Sequence, residues 1–217
     1  MLKEKLRFIW YEIAAGLLAV FCKIFFRLRL FGRENIPKKG AFILAGNHQS
    51  YLDPILCGAT LPRQMHYLAR ESLFSNWFFA GLISSVNTLP LKQAESDLTA
   101  VRKVIELLKA GKGVCLFPEG TRTRDGRIEP FKPGLGLLCR RGNAAIIPAV
   151  IDGAFECWPR HKRIFSFGSV WIQIGRPITA AQVEEMGDEK LAEHLTNTLR
   201  EMQSELRKKR GKQPYRY

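Results

Sequence analysis

Short apolar runs alternate with amphipathic segments from residue 41 to residue 209, and this alternation restricts the chain to few fold classes. The short runs predict buried strands, and segments with apolar residues every three or four positions predict helices. Strands that alternate with helices are typical of an α/β fold, in which helices flank a mostly parallel central sheet. The predicted strands are Ala41–Ala45, Met65–Ala69, Val114–Phe117, Ala145–Ile151 and Val170–Ile174, and the predicted helices are Tyr51–Thr60, Asn76–Ile83, Leu98–Lys109, Gly134–Arg141 and Asp188–Lys209.

The charge balance narrows the class of partner. A chain of 217 residues has room for one large domain, and its 46% hydrophobic and 25% charged residues exclude a disordered protein or a bundle of membrane spans. The net charge of +14 indicates a negatively charged partner: nucleic acid, an anionic membrane surface or a phosphorylated small molecule. The five cysteines are widely spaced without a C-x-x-C pair, so we expect buried thiols in a reducing compartment.

The first 31 residues combine a basic start with a long aromatic and aliphatic run. Only Ile13 to Cys22 is free of charge, whereas a transmembrane helix needs about 20 apolar residues. We therefore expect residues 1–33 to form an amphipathic helical segment in the membrane interface or one leaflet, with a core helix as the alternative. Residues 34–217 would form the globular domain. The face expected to lie against protein is small and charged: Glu12, Ala15, Gly16, Ala19, Lys23 and Arg27.

The C-terminal stretch from Arg207 to Tyr217 is strongly basic. It is interpreted either as a solvated tail or as a segment attracted to an anionic membrane. A non-enzymatic module that binds nucleic acid or membranes is the alternative to an enzyme. Single-strand binders interleave aromatic with basic residues, and this stretch offers only Tyr215 and Tyr217 for that purpose.

One histidine and one aspartate follow the first predicted strand, in the sequence Gly46-Asn47-His48-Gln49-Ser50-Tyr51-Leu52-Asp53-Pro54. A strand-to-helix turn at the carboxyl end of a strand is where open α/β sheets bind ligands. His48 can accept a proton near neutral pH, and a carboxylate on its other ring nitrogen would hold the tautomer. However, Ser50 to Asp53 also fits a capping box at a helix start, in which Asp53 is simply the third residue of the box and His48 is a loop residue.

A second turn carries Glu119, Gly120, Thr121 and Arg122 after the strand Val114–Phe117. If the two strands run parallel, both turns open at the same edge of the sheet, so His48 and Arg122 can share one cleft. The planar guanidinium of Arg122 suits phosphate oxygens. Lys132 stands before a helix start, which is also suited to anions. Arg124 and Arg127 flank a tight-turn sequence and are expected at the surface.

Together, Asn47-His48-x-Ser50-x-x-Asp53 and Phe117-Pro118-Glu119-Gly120-Thr121-Arg122 resemble the motifs of the glycerolipid acyltransferase family, most closely its bacterial 1-acylglycerol-3-phosphate acyltransferases. The resemblance covers roughly residues 34 to 180 and implies that this region is a catalytic domain. It implies His48 as general base on an acceptor hydroxyl, Asp53 as the residue that orients it, and direct attack on the thioester of acyl-CoA or acyl carrier protein. Glu119, Gly120, Thr121 and Arg122 would hold the glycerol and phosphate of the acceptor.

The family also has a phosphate-binding cation between these motifs, for which the chain offers only loose matches. Lys92 is the candidate, Arg70 competes with it, and Lys132 is a further basic residue for the substrate. The resemblance implies lysophosphatidic acid as acceptor, with glycerol 3-phosphate or another lysolipid as alternatives. It implies no metal, no cofactor beyond the acyl donor, no nucleic acid, and an anionic membrane surface as partner. We expect a peripheral or monotopic protein on the cytoplasmic face of the cell membrane.

Overall fold

The computed structural model describes residues 2–75, 77–91 and 97–217. These residues form seven strands and eight α-helices, with single turns of 3₁₀ helix at Arg33–Asn35 and Glu71–Phe74. The strands are β1 Arg29–Phe31, β2 Phe42–Gly46, β3 Met65–Arg70, β4 Thr88–Leu91, β5 Gly113–Leu116, β6 Ala145–Asp152 and β7 Trp171–Ile174. The helices are α1 Leu2–Phe26, α2 Asp53–Thr60, α3 Trp77–Ser85, α4 Asp97–Lys109, α5 Leu135–Gly142, α6 Ala154–Cys157, α7 Ala180–Met186 and α8 Asp188–Lys209.

The seven strands form one sheet in the order β1-β7-β6-β2-β5-β3-β4. The five strands from β6 to β4 run parallel, β7 is antiparallel to β6, and β1 is parallel to β7. This confirms the expected mostly parallel sheet. Because β2 lies between β5 and β6, the carboxyl ends of these three strands meet at one edge, which carries both sequence motifs.

The core has two halves, one on each face of the sheet. Along β2, Ile43 and Ala45 pack on the face covered by α4, α5, α7 and α8, whereas Phe42 and Leu44 pack against α1, α2 and α6. Successive side chains of a strand point to opposite faces, so a central parallel strand must be apolar throughout. The large side chains Phe42, Ile43 and Leu44 each contribute roughly 1.5 to 3 kcal/mol on burial. All five cysteines are free and buried.

The predicted elements are all present with small shifts at their ends, and α8 begins and ends at the predicted residues. Two strands were not predicted. The three-residue β1 lies in a basic segment that has no strand pattern, and β4 contains Pro90, which is tolerated because β4 is an edge strand. Because β1 pairs with β7, residues 29–31 belong to the sheet of the globular domain. The boundary expected after residue 33 therefore lies after the first strand of that domain.

Helix α1 exposes most of its bulky apolar side chains, as the sequence predicted. Its segment Glu4–Phe26 has a mean hydropathy of 1.8 and, by length and composition, can cross a membrane. The face against protein differs from the prediction by about one residue of helical phase. It is built on the buried Tyr11, Cys22 and Phe26, whereas Glu12, Gly16, Lys23 and Arg27 are exposed and Ala15 and Ala19 lie at its border.

The basic C-terminal segment is not a solvated tail. Arg207 and Arg210 bind the fully buried carboxylate of Asp152, at 2.9 Å from Arg207 Nη1 to Asp152 Oδ1. The guanidinium of Arg207 lies over the ring of Tyr215, 3.9 Å from its centre, and that of Arg200 lies over Tyr217 at 4.5 Å. The two tyrosines that would stack on nucleic-acid bases therefore contact arginines of the same chain.

Candidate active site

His48 lies in the connection between β2 and α2, at the carboxyl edge of the sheet. The neighbours of His48 in sequence are buried and fasten this connection to the rest of the fold. Asn47 exchanges two hydrogen bonds with the backbone of Ile151, at 2.9 and 2.7 Å. The Gln49 side chain donates to Gly126 O and accepts from Phe155 N. The turn is therefore held on both sides of His48.

The His48 ring is paired with Asp53, 2.7 Å from Nδ1 to Oδ2. The same Oδ2 accepts the backbone N–H groups of Gln49 and Ser50 at 2.6 and 2.7 Å, and Asp53 is fully buried. A carboxylate oxygen that accepts two N–H groups acts as the acceptor toward His48 too, so Nδ1 carries the hydrogen and, in the neutral ring, the lone pair is on Nε2. The side chain of His48 remains 20% exposed, so part of the ring is open to solvent.

Only one of the two hydrogen bonds of the predicted capping box between Ser50 and Asp53 is present. Asp53 binds Ser50 N as a capping box requires, but the hydroxyl of Ser50 accepts from Leu52 N and donates to Trp158 O at 2.6 Å. The helix begins at Asp53 without a side-chain cap. Ser50 therefore fixes the turn against the segment after α6, and the carboxylate of Asp53 serves both the turn and His48.

The second motif is bonded directly to the first. Glu119 Oε1 accepts His48 N–H at 2.7 Å, and Thr123 N–H donates to His48 O at 2.8 Å. The ring of Phe117 stacks on the imidazole with 4.2 Å between ring centres and 14° between planes. The two turns therefore meet at one edge of the sheet, as predicted, and hydrogen bonds join them at both the N–H and the C=O of His48.

Glu119 is an interior carboxylate, with 5% of its surface exposed. Its second oxygen accepts Glu129 N–H at 3.1 Å, so both oxygens bind protein backbone. Burial raises the pKa of Glu119 to about 7, against the opposing effect of the N–H groups of His48 and Glu129. The carboxyl group of Glu119, which accepts the backbone N–H of His48, therefore gains or loses its charge near neutral pH.

Arg122 lies over the ring of Tyr51, 3.5 Å from the ring centre, and Tyr51 in turn contacts Trp158. Its Nη1 is buried and has no hydrogen-bond partner among the described residues. A guanidinium held by an aromatic face with a nitrogen left unbonded is suited to take an anion. Since Tyr51 is three residues from His48, the stack brings Arg122 to the histidine turn.

The remaining predicted residues lie around this turn or outside the described residues. Gly120 has φ of 72°, and a Cβ there would lie 3.2 Å from Lys132 Nζ, so Lys132 lies beside the second motif. Thr121 is exposed, as are Arg124 and Arg127, which follow it at the surface. Lys92 lies outside the described residues, directly after β4. Arg70, its competitor, ends the neighbouring β3 and is exposed.

Sequence reasoning missed the aromatic part of the site. The ring of Phe117 stacks on His48, the ring of Tyr51 lies under Arg122, and the ring of Trp158 contacts Tyr51. Phe117 and Tyr51 are parts of the two motifs and could have been noticed as aromatic neighbours of charged residues. Trp158 carries no such signal, because it reaches the site only through the fold.

A histidine paired with a buried carboxylate at the carboxyl edge of a mostly parallel sheet, next to an arginine, is an arrangement that can support general-base chemistry. A family model described as Acyltransferase matches residues 27–152, which is more than half of the chain. The chain therefore belongs to the acyltransferase family.

Individual relatives agree with this assignment. The chain is 28% identical over 200 residues to 1-acyl-sn-glycerol-3-phosphate acyltransferase of Bacillus subtilis, covering 92% of this chain and 98% of that protein. A chloroplast enzyme of that name from Arabidopsis thaliana is 29% identical over 178 residues, 79% of this chain and 50% of the relative. The crystal structure of the lysophosphatidic acid acyltransferase PlsC from Thermotoga maritima matches with a TM-score of 0.82 and 28% identity, covering 94% of this chain and 83% of that one.

Proposed function

We propose that this chain transfers a fatty acyl group from acyl-CoA or acyl carrier protein to the free hydroxyl of 1-acylglycerol 3-phosphate, which yields phosphatidic acid. The observation that carries the proposal is the 2.7 Å pair of His48 and Asp53, bonded through the His48 backbone to the second motif. Relatives that bear the name of this activity, in bacteria and plants, support the choice of acceptor.

In the proposed step, His48 Nε2 takes the proton of the acceptor hydroxyl while the oxygen attacks the thioester carbonyl carbon. The carbon–sulfur bond breaks, and the departing thiolate recovers the proton from the imidazolium. Asp53 stabilises that imidazolium through Nδ1 and keeps the lone pair on Nε2. General-base assistance of this kind is worth about 10² to 10⁴ in rate. The step uses side chains and the two substrates alone.

The acceptor phosphate is proposed to bind Arg122, with Lys132 as a second cation beside Gly120. A bidentate guanidinium contact supplies orientation as well as attraction. Glu119 and Thr121 remain predicted contacts of the acceptor. The two backbone N–H groups that Glu119 accepts give it a further role in positioning the His48 turn.

The exposed apolar face of α1 is proposed to anchor the protein to the cytoplasmic face of the cell membrane. Eight large apolar side chains of this helix are about half exposed or more, which is unusual for a surface that faces water. The acceptor and product of the proposed reaction are lipids of the same membrane. The membrane-exposed residues are Leu6, Phe8, Ile9, Trp10, Ile13, Leu17, Val20 and Ile24.

The proposal is tested with purified protein, isotope-labelled acyl-CoA or acyl carrier protein, and a panel of acceptors, with products resolved by mass. We expect labelled phosphatidic acid from lysophosphatidic acid, and none from glycerol 3-phosphate or lysophosphatidylcholine. Acylation of one of the latter instead would move the proposal to that acceptor. The absence of turnover for every acceptor, with either donor, would contradict the proposal, provided that circular dichroism shows a folded protein.

A further inference from the structure

The connection between α6 and β7 has an unusual composition. Residues 159–167, the 159–167 loop, place three cations directly before two exposed apolar side chains. Ile164 is 78% exposed and Phe167 is 74% exposed, more than the apolar residues of α1. The three cations, Arg160, Lys162 and Arg163, are exposed as well.

This loop is fastened to the fold in spite of its exposure. The ring of Phe165 packs between α1 and Trp158, with its centre 5.5 Å from that of Phe26 and 6.0 Å from that of Trp158. Backbone bonds run from Ser166 N to Cys157 O at 2.8 Å and from Gly168 N to Phe25 O at 3.3 Å. The exposure of Ile164 and Phe167 is therefore a property of a packed loop.

The loop continues the apolar surface of α1. Phe167 stacks on Phe25 with 5.3 Å between ring centres, one position from the exposed Ile24. A recess of about 420 Å³ lies along this seam and is lined by both apolar and polar groups, with the cation Arg27 among them. Apolar side chains beside a cation match the acyl chain and phosphate of a phospholipid. The other lining residues are Ile24, Phe25, Phe167, Gly168 and Ser169.

We propose that the 159–167 loop is a second membrane contact, which seats together with α1 on an anionic bilayer. Ile164 and Phe167 enter the boundary between headgroups and acyl chains, and Arg160, Lys162 and Arg163 bind lipid phosphates. Apolar residues flanked by cations are the combination that binds anionic lipid surfaces. Continuity with the apolar face of α1 favours the bilayer over a protein partner, which would have to cover both surfaces at once.

The loop also reaches the active site. Trp158, which packs on Phe165, accepts the hydroxyl hydrogen of Ser50 and contacts Tyr51, the residue under Arg122. One residue, Trp158, therefore separates Phe165 of the loop from the stack of Arg122 on Tyr51 that is proposed to hold the acceptor phosphate. This places the entry of a lipid acceptor on the same side of the molecule as its membrane contact.

The first test measures insertion at a single position. In the full chain, Phe167→Cys is labelled with an environment-sensitive fluorophore, while the five native cysteines are buried. With vesicles of phosphatidylcholine and phosphatidylglycerol in equal parts, we expect a blue shift and quenching by brominated lipid. Glu185→Cys, on α7 at the opposite face of the sheet, is the control and should do neither. No response at residue 167 in protein that sediments with the vesicles would overturn the proposal.

The second test measures how much the three cations of the loop contribute to binding of anionic vesicles. Removing a charge near an anionic surface should weaken partition by about fivefold, so the triple glutamine variant of the loop should lose on the order of a hundredfold. Neutral vesicles should show no comparable loss. An equal loss in loop and control triples would overturn the proposal. The loop triple is Arg160→Gln, Lys162→Gln and Arg163→Gln. The control triple, at exposed positions of α4, α5 and α8 on the other face of the sheet, is Lys109→Gln, Arg141→Gln and Lys190→Gln.

A third measurement rests on the proposed function. The loop triple is expected to lose turnover on lysophosphatidic acid in vesicles and to keep it on a short-chain acceptor that is monomeric in solution. Equal loss on both would contradict the role of the loop in access to the bilayer. If the unsubstituted protein acylates neither acceptor, the proposed function fails, while the fluorescence at residue 167 still decides the membrane contact.

Discussion

At the scale of single residues, the imidazole of His48 is held from several directions. Asp53 binds Nδ1, the ring of Phe117 lies parallel to it, and Glu119 and Thr123 bind the backbone N–H and C=O. A ring fixed in this way needs little reorganisation when a hydroxyl approaches Nε2, which is the condition for efficient general-base catalysis.

Replacement of His48 by alanine should lower kcat by at least about 10² to 10⁴, because the proposed base is lost while the turn keeps its backbone bonds. The measurement is the rate of acyl transfer to lysophosphatidic acid together with the thermal midpoint of unfolding. His194→Ala, at an exposed position of α8, is the matched control. Substantial turnover in His48→Ala would refute the role of His48 as base.

Asp53→Asn keeps an oxygen for the backbone N–H groups but removes the charge that stabilises the imidazolium. We expect kcat to fall by about tenfold or more, with a smaller change in KM. Steady-state kinetics check this, with Asp188→Asn, which alters an exposed ion pair with Arg140, as the control. An unchanged kcat would leave Asp53 with only its role in the turn.

Because the pKa of Glu119 is raised in the folded protein, its contribution to the free energy of unfolding should decrease as the pH rises. The folded state binds this proton more tightly than the unfolded state, so the stabilisation is complete below about pH 4.5 and is lost as the pH rises through about 7. The unfolding free energy of the wild type relative to Glu119→Gln should therefore fall, by on the order of 3 kcal/mol, from about pH 5 to about pH 8. Urea unfolding across this range measures it; a difference that is flat or rises would contradict the assignment.

The two motifs could be predicted from the sequence because residue type and order carry their chemistry. The contacts of Phe117 and Tyr51 could not, since stacking between distant segments depends on the register of β2 against β5. The position of Ser50 shows the same limit. Local sequence predicted a helix cap, whereas the folded chain offers its hydroxyl a stronger partner in the carbonyl of Trp158.

At the scale of elements, α1 serves two surroundings. Cys22 and Phe26 lie in the core beside β7, whereas Leu17, Val20 and Ile24 are 69, 58 and 68% exposed. Removing residues 1–31 would therefore take away core side chains and β1 together with the anchor. Such a deletion tests folding, so membrane binding has to be tested by substitution on the exposed face alone.

The triple variant Leu17→Ser, Val20→Ser and Ile24→Ser should weaken partition to vesicles by about tenfold per residue, because the apolar area that enters the membrane is lost. Flotation of full-length protein with vesicles measures this, and an unchanged unfolding midpoint shows that the core is intact. Leu98→Ser with Leu137→Ser, exposed on α4 and α5, is the control. Undiminished flotation of the triple variant would move the anchor elsewhere.

The spacing of hydrophobic residues predicted the central strands of the sheet and all the long helices. Strands buried on both faces and helices buried along one stripe each leave a strong pattern in the sequence. It failed for β1 and β4, which lie at the two edges and are only three and four residues long. Edge strands need not be apolar on both faces, so a short one has no pattern to detect. The protein-facing side of α1 was misplaced because the exposed and the core-facing residues of this helix are both apolar.

At the scale of the whole molecule, the C-terminal residues close the fold over the second motif. Asp152, at the end of β6, binds Arg207 and Arg210 of the last helix and the residue after it. The oxygen of Gly126, beyond the second motif, accepts from both Gln49 and Gln203. The motif therefore has support from the His48 turn on one side and from α8 on the other.

Asp152→Ala should destabilise the protein by about 3 to 5 kcal/mol, because it leaves two largely buried guanidinium groups without their carboxylate. Chemical denaturation measures the change. Asp125→Ala, which removes the exposed partner of Arg127, should cost at most about 1 kcal/mol. If the two variants are equally stable, the C-terminal segment is not a stabilising clamp.

The pairing of β1 with β7 has a consequence for the order of assembly. During synthesis, Arg29–Phe31 leaves the ribosome long before Trp171–Ile174 exists, so β1 has no strand partner while β2 to β6 are being made. Closing so long a loop is a slow event in folding. We expect α1 to reach the bilayer in this interval, so that the sheet is completed at the membrane surface and not before it.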